Sequence, residues 1–344
     1  MARKKSNGRI MKRKKVEPAV KTMSFYFTVP AGSQSEQTID LSQCASLLNR
    51  RFYRQGLNWA VAGMKVLTSS ATTPQGIISV QKLPDTWVMS NSWHKGFAAW
   101  QKMNNEALEE AESVKPRFLD FKIYADSIHH VGGFGSNLLP LSSLGGYTAG
   151  EWEPSKFVIP RGPASPGNTL EREVIAVGAS YPGAGASTLD AVSLIEGYAS
   201  SRGLPDIEDP NTPADSLDAT GTVPENWMSA LFNDGTSQTA GVLADMVTQN
   251  NLAPYSFEAD GVHVDTMYPG GANQGTGLQI HDNEYITGTT VGGRTNIKGG
   301  NFPCGLIRLL CTNNDENSVL NFALQIELVP GHHRGYLCEP MQEM

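Results

Sequence analysis

Ser318-Val-Leu-Asn-Phe-Ala-Leu-Gln-Ile-Glu-Leu-Val-Pro330 alternates apolar and polar residues along its length. Side chains of a strand repeat every two residues, so Leu320, Phe322, Leu324, Ile326 and Leu328 share one face while Asn321, Gln325 and Glu327 share the other. The pattern predicts a central strand of a sheet. Similar β signals lie upstream: Thr22–Pro30 (TMSFYFTVP), Leu57–Ser69, Gly76–Lys82, Arg117–Tyr124, Ser155–Ile159, Leu170–Gly178, Val262–Asp265, Gly277–Thr287 and Pro303–Thr312. Thirty-five glycines and twenty prolines suit the turns between them.

Helical patterns are fewer. Asp40 reads as the cap of a short helix reaching Leu48. The longest runs from about Trp87 to Val114, with Trp93, Phe97, Trp100, Met103 and Leu108 at helical spacing, and Lys115-Pro116 stops it. Residues 129–150 and 160–168 read as Gly/Pro/Ser-rich loops, and the stretches 129–168 and 200–225 are expected on the outer surface. From Ser187 the texture changes to helical segments (Ser187–Ala199, Asn226–Phe232, Thr239–Asn250) around an acidic loop, placing an insertion at 183–260. Regular strand–helix alternation is missing, which excludes a parallel α/β sheet. The fold expected is mainly β: a jelly-roll antiparallel β-sandwich over 23–344 with helical insertions, preceded by a disordered basic arm at 1–22.

That arm carries the strongest charge signal. Arg3, Lys4, Lys5, Arg9, Lys12, Arg13, Lys14, Lys15 and Lys21 stand against one acid, Glu17, a charge of +8 over residues 1–21. The whole chain sums to −7, so residues 22–344, with 18 basic and 33 acidic residues, carry −15. An arm of this sign seeks a polyanion and the body does not. Lys and Arg without aromatic rings read phosphate and not bases, so binding is expected to be sequence-blind and steeply salt-dependent. Lys12, Arg13, Lys14 and Lys15 also form a candidate nuclear-import signal. Arg50, Arg51 and Arg54 are the other tight basic cluster, read either as a surface beside the arm or as a solvated helix end.

Motifs that would carry chemistry fall short. Gly178-Ala-Ser-Tyr-Pro-Gly183-Ala-Gly185-Ala-Ser-Thr follows a strand, but Ala184 stands where a phosphate-binding loop needs Lys, and Thr188 stands at the third dinucleotide glycine. His129-His130 and His332-His333, read as extended chain, point to opposite faces and offer no chelating pair. Cys44, Cys304, Cys311 and Cys338 form no CxxC pair and read as free thiols of an intracellular history. Asp206, Glu208, Asp209, Asp215 and Asp218 read as a solvated loop, with calcium as the alternative. No nucleophile elbow and no HExxH helix occur. No run of eighteen apolar residues occurs either, so no membrane partner is expected. The expectation is a non-enzymatic chain with no cofactor and no metal.

Segments 83–124 (LPDTWVMSNSWHKGFAAWQKMNNEALEE…RFLDFKIY), 299–307 (GGNFPCGLI) and 327–344 (ELVPGHHRGYLCEPMQEM) resemble capsid proteins predicted for uncultured circular Rep-encoding single-stranded DNA viruses. The resemblance implies a single jelly-roll subunit that assembles with itself, in 60 copies or more, into an icosahedral shell around a circular single-stranded DNA genome. It implies a location in the virion, passage through the nucleus of a eukaryotic host, and a host surface receptor that the sequence does not specify. Two other readings stay open: a non-viral nucleic-acid-binding β-sandwich, and a glycan-hydrolysing sandwich with two suitably placed carboxylates.

Overall fold

The computed structural model describes residues 17–68, 75–109, 113, 119–143, 145–160, 168–203, 277–287 and 293–344. The basic residues from Arg3 to Lys15, the acidic loop 206–218 and the segments expected at Asn226–Phe232, Thr239–Asn250 and Val262–Asp265 lie outside them.

Two antiparallel sheets enclose one apolar core. The first runs β1 (Thr22–Val29), β13 (Leu320–Leu328), β3 (Leu57–Thr68), β11 (Arg294–Phe302), with β16 (Cys338–Pro340) on the far end of β3. The second runs β10 (Gln279–Thr287), β4 (Gln75–Lys82), β12 (Leu306–Asn313), β2 (Gln34–Asp40). The stretch from Ser318 does form a central strand, flanked by β1 and β3. Its register sets apolar against apolar: Met23 faces Ile326, Phe25 faces Leu324, Phe27 faces Phe322 and Val29 faces Leu320. All eight are buried, and the Phe27 and Phe322 rings lie 5.2 Å apart. Opposite them across the core stand Ile39, Ile78, Val80, Ile307 and Leu309 of the second sheet. At about 1.5–3 kcal/mol per buried large side chain, this core dominates the stability of the fold.

Asp40 caps helix α1 (Leu41–Asn49) as its sequence position requires, its side chain accepting hydrogen bonds from the Ser42 and Gln43 amides. Helix α2 (Trp87–Glu109) begins a layer inserted between β4 and β10. That layer also holds α3 (Ser127–Gly132), the two-residue pairing β5 (Leu141–Ser142) with β6 (Gly145–Gly146), the sheet β7 (Lys156–Pro160), β8 (Thr169–Ile175), β9 (Ala191–Ser193), and α4 (Leu194–Gly203). The Trp93, Phe97 and Trp100 stripe is core: Trp93 stacks on Phe97 at 5.1 Å, and Phe121, Phe157 and Tyr198 complete the cluster. The C-terminal segment joins it, since Met341 is fully buried there and its carbonyl accepts from the Ser90 hydroxyl at 2.6 Å.

Several expectations are corrected. The strand expected at 117–124 is described from Leu119 and forms no ladder beyond an isolated bridge from Tyr124 to Ile175. Side chains share its bonding with scattered backbone pairs: the Ile123 amide donates to Gln55 Oε1 at 2.6 Å and the Lys122 amide to Ser155 Oγ at 3.0 Å, while the Ser155 amide donates to the Lys122 carbonyl at 2.9 Å. Ser187–Ala199 is not one helix, because Ala191–Ser193 pairs in parallel with β8 before α4 starts. The loop 129–150 begins as helix α3 and is not all surface, with His129, His130, Phe134 and Asn137 buried. Besides pairings of two or three residues, two long strands escaped the sequence reading altogether, β2 and β11. Both lie at sheet edges, where one flank and one face need no apolar residues.

Candidate nucleic-acid interface

Of the nine basic residues assigned to nucleic-acid binding, Lys21 alone lies among the described residues; the import candidates Lys12–Lys15 do not. Lys21 sits just before β1, exposed, 3.6 Å from Glu327, which Lys65 approaches at 3.7 Å from the other side. What the structure fixes is the root of the arm, residues 17–21, and therefore where the arm leaves the body.

Three features seat that root. The Val20 amide donates to Asn49 Oδ1 at 2.9 Å, while Tyr336 Oη donates to the Val20 carbonyl at 2.7 Å and accepts from Asn49 Nδ2 at 2.7 Å. Burial pushes the Tyr336 phenol up to about 12, so it keeps its proton and remains a donor. The chain of Glu17 and Ala19 then lies directly on Gly335, whose φ is +107° and where a Cβ would stand 2.5 Å from Ala19 Cβ and 2.7 Å from the Glu17 carbonyl. Only glycine suits both that conformation and that approach. A groove of about 260 Å³ remains between the root and Leu328, Pro330 and Tyr336.

Beside the root, α1 ends at Arg50 in a left-handed conformation, and the chain continues through exposed Arg51 and Arg54 with Tyr53 buried between them. The expected trio thus follows a helix end, and its Arg51 meets Glu17 of the arm root. A fourth guanidinium joins it that the sequence reading passed over. Arg334, on the turn between β14 (Pro330–Gly331) and β15 (Gly335–Tyr336), donates through Nη1 to the Phe52 carbonyl, and its own carbonyl accepts from Tyr53 Oη at 3.0 Å. The His333 imidazole beside it is held below its ordinary value by burial first, and then by Arg334 and Arg54. Tyr53 is shifted up by burial against the opposing pull of Arg51 and Arg334. Among the described residues, the carboxylate in salt-bridge range of these four guanidiniums is Glu17, 3.1 Å from Arg51 Nη1. Exposed guanidiniums on a fixed backbone are suited to phosphate, which they meet with two parallel donors.

The remaining sequence candidates fall elsewhere. His129 and His130 lie on helix α3 and not on extended chain, and they serve different partners. His129 Nδ1 accepts from the Ala125 amide at 3.1 Å, so Nε2 carries the proton it donates to Asn137 Oδ1 at 2.9 Å. Burial, with Arg308 as the next cause, lowers this imidazole to about 3. His130 Nε2 meets Glu173 Oε2 at 2.9 Å, both fully buried, without the alignment of a hydrogen bond. Arg308, also buried, reaches from β12 to Glu36 at 2.9 Å and to Asp126, the α3 cap, so the inserted layer is tied to the second sheet through charge. Asp120, lifted to about 6 by burial, sits 3.9 Å from Lys122. The stretch 178–188 folds as a turn in which the Gly183 amide donates to Asp190 and Gly185 packs on the His130 ring. The four cysteines are free thiols, Cys338 half-buried and the others buried. Among the described residues no three His, Cys, Asp or Glu side chains gather to hold a metal, and no helix is long and apolar enough to cross a membrane.

No family model matches the chain, and neither a curated protein nor a solved structure matches it.

Proposed function

We propose that the chain is a viral capsid protein that assembles with itself into a small icosahedral shell and packages a circular single-stranded DNA genome through its basic N-terminal arm. The observation that carries the reading is the arm itself: a +8 segment joined to a −15 body, its root seated beside four guanidiniums. The strand order supports a jelly-roll subunit. With the inserted layer set aside, eight strands in chain order (β1, β2, β3, β4, β10, β11, β12, β13) divide between the sheets as β1-β13-β3-β11 and β2-β12-β4-β10. The chain crosses between the sheets at every step except β4 to β10, which pair with each other, the arrangement of a double Greek key, a fold that capsid and lectin domains share. A shell of about 60 such arms brings roughly 480 positive charges to the genome, and ions neutralise the remaining phosphates. Outside the shell, the acidic body repels stray nucleic acid.

A non-viral nucleic-acid-binding sandwich is the second reading. The basic patch around Tyr53 favours it, because such a module needs a cationic surface on its body. Sedimentation velocity of the purified chain, with and without single-stranded DNA, separates the two. Conversion to uniform particles of tens of subunits supports the shell; a monomer or dimer that binds DNA and stays small supports the module.

A further inference from the structure

We propose that Arg51, Arg54 and Arg334 form a fixed docking site for consecutive phosphates of a single strand where the arm leaves the body, and that Glu17 occupies Arg51 until a phosphate displaces it. The proposal rests on the packaging reading and adds to the arm a second, ordered site with its own internal competitor.

Four observations carry it. The guanidiniums belong to exposed residues, and Arg334 commits Nη1 to the Phe52 carbonyl, a bond that ties its side chain to the loop carrying Arg51 and Arg54. Arg50 (φ 50°) and Arg334 (φ 49°) are two of five non-glycine residues in left-handed backbone among those described. Strain of this kind costs of order 1–3 kcal/mol per residue and gathers at functional sites. Here it brings two separate turns, one after α1 and one after β14, onto the same surface around Tyr53. The carboxylate meeting the cluster is the arm's single acid, and both members of the Glu17–Arg51 pair are about half exposed. An exposed pair is weak enough for a phosphate to replace. Finally, the ring at the centre, Tyr53, is buried and offers no stacking face to a base, so the site reads phosphate alone.

The test uses the full chain and a fluorescent dT12 oligonucleotide, with anisotropy followed as salt is raised. In one variant all eight basic residues between Arg3 and Lys15 are replaced by Gln. It should retain weak binding with a slope of log K against log[salt] near −2, about three phosphates at roughly −0.7 each. Adding Arg51→Gln and Arg54→Gln should bring the slope to about −0.7. Adding Glu17→Gln instead should tighten binding by up to about fivefold, the factor matching the ~1 kcal/mol upper range of an exposed pair. Arg51→Lys with Arg54→Lys should restore most of the salt slope. Unchanged circular dichroism and melting temperature confirm folding in each case. If the arm-neutral chain fails to bind while the wild type binds, or if the double Gln variant keeps the full slope, the docking site is refuted and packaging by the arm stands. A wild type that does not bind dT12 at all refutes the packaging reading itself.

Discussion

Replacing His129 by Gln should change how the stability of this protein depends on pH. His129 is buried, and both ring nitrogens are committed to the neutral form: Nδ1 accepts from the Ala125 amide and Nε2–H donates to Asn137. A second proton at Nδ1 would oppose the Ala125 N–H and place a charge near the Arg308 guanidinium. The folded value is therefore about 3 against 6.5 for the free side chain. Between those values the unfolded chain binds a proton that the native state refuses, so this residue's contribution is intact above about pH 6.5 and is lost as pH falls toward 3. At 1.36 kcal/mol per unit, lowering the pH to 5 costs about 2 kcal/mol. Asp120 works in the opposite sense. Its folded value of about 6 exceeds the ordinary 3.8, so it binds its proton more readily when native and returns about 1.4 kcal/mol at pH 5. The wild type should thus lose little on acidification. His129→Gln should instead gain about 1–2 kcal/mol on going from pH 7 to pH 5, and Asp120→Asn should lose about 2 kcal/mol over the same interval. Urea unfolding of unassembled subunits at the two pH values reads this directly. If the wild type and His129→Gln share one pH dependence within about 0.5 kcal/mol, the assignment of a buried, neutral His129 is refuted.

Other outcomes follow from the same geometry. Tyr336→Phe removes the donor to the Val20 carbonyl and the acceptor for Asn49; it should cost about 1–2 kcal/mol and speed proteolysis near residues 17–21, with the core strands unaffected. Phe25→Ala leaves a cavity opposite Leu324 in the fully packed first sheet and should lower stability by about 3–5 kcal/mol in thermal or urea unfolding. In the native protein a thiol reagent at neutral pH should label at most Cys338, and that slowly, because burial holds its thiol up near 12 while Cys44, Cys304 and Cys311 are sealed in the core. Mass spectrometry counts the adducts, and rapid labelling of two or more would contradict this packing.

The sequence announces the core strands more plainly than the edges. β1 and β13 alternate strictly because one face of each meets the opposing sheet, and α2 shows its aromatic stripe because one face of it packs on the second cluster around Phe121 and Phe157. β2 (QSEQTID) and β11 (RTNIKGGNF) carry no such stripe: an edge strand is stabilised by one neighbour, and its polar residues resemble those of a loop. Leu119–Ile123 misleads in the other direction, since its buried residues alternate like a strand while Gln55 and Ser155 side chains supply several of its hydrogen bonds and no regular ladder forms. At the arm root, Arg50, Arg51 and Arg54 are neighbours in sequence and stand out as a cluster. Arg334 lies 280 residues beyond Arg54 in the chain, and only the antiparallel pairing of β14 with β15 returns it to Phe52 and Tyr53. Its one local hint is the run His332-His333-Arg334-Gly335, a polar turn closed by a glycine in a conformation other residues avoid.

Self-assembly around nucleic acid can be read by negative-stain microscopy of the chain expressed alone, with the 260/280 nm absorbance ratio of the same fraction. Uniform closed particles about 20 nm or more across are expected, with an absorbance ratio that reports enclosed nucleic acid and with that content lost when the basic residues from Arg3 to Lys15 are neutralised. A stable monomer or dimer at every salt concentration, with no particles on the grid, would contradict it.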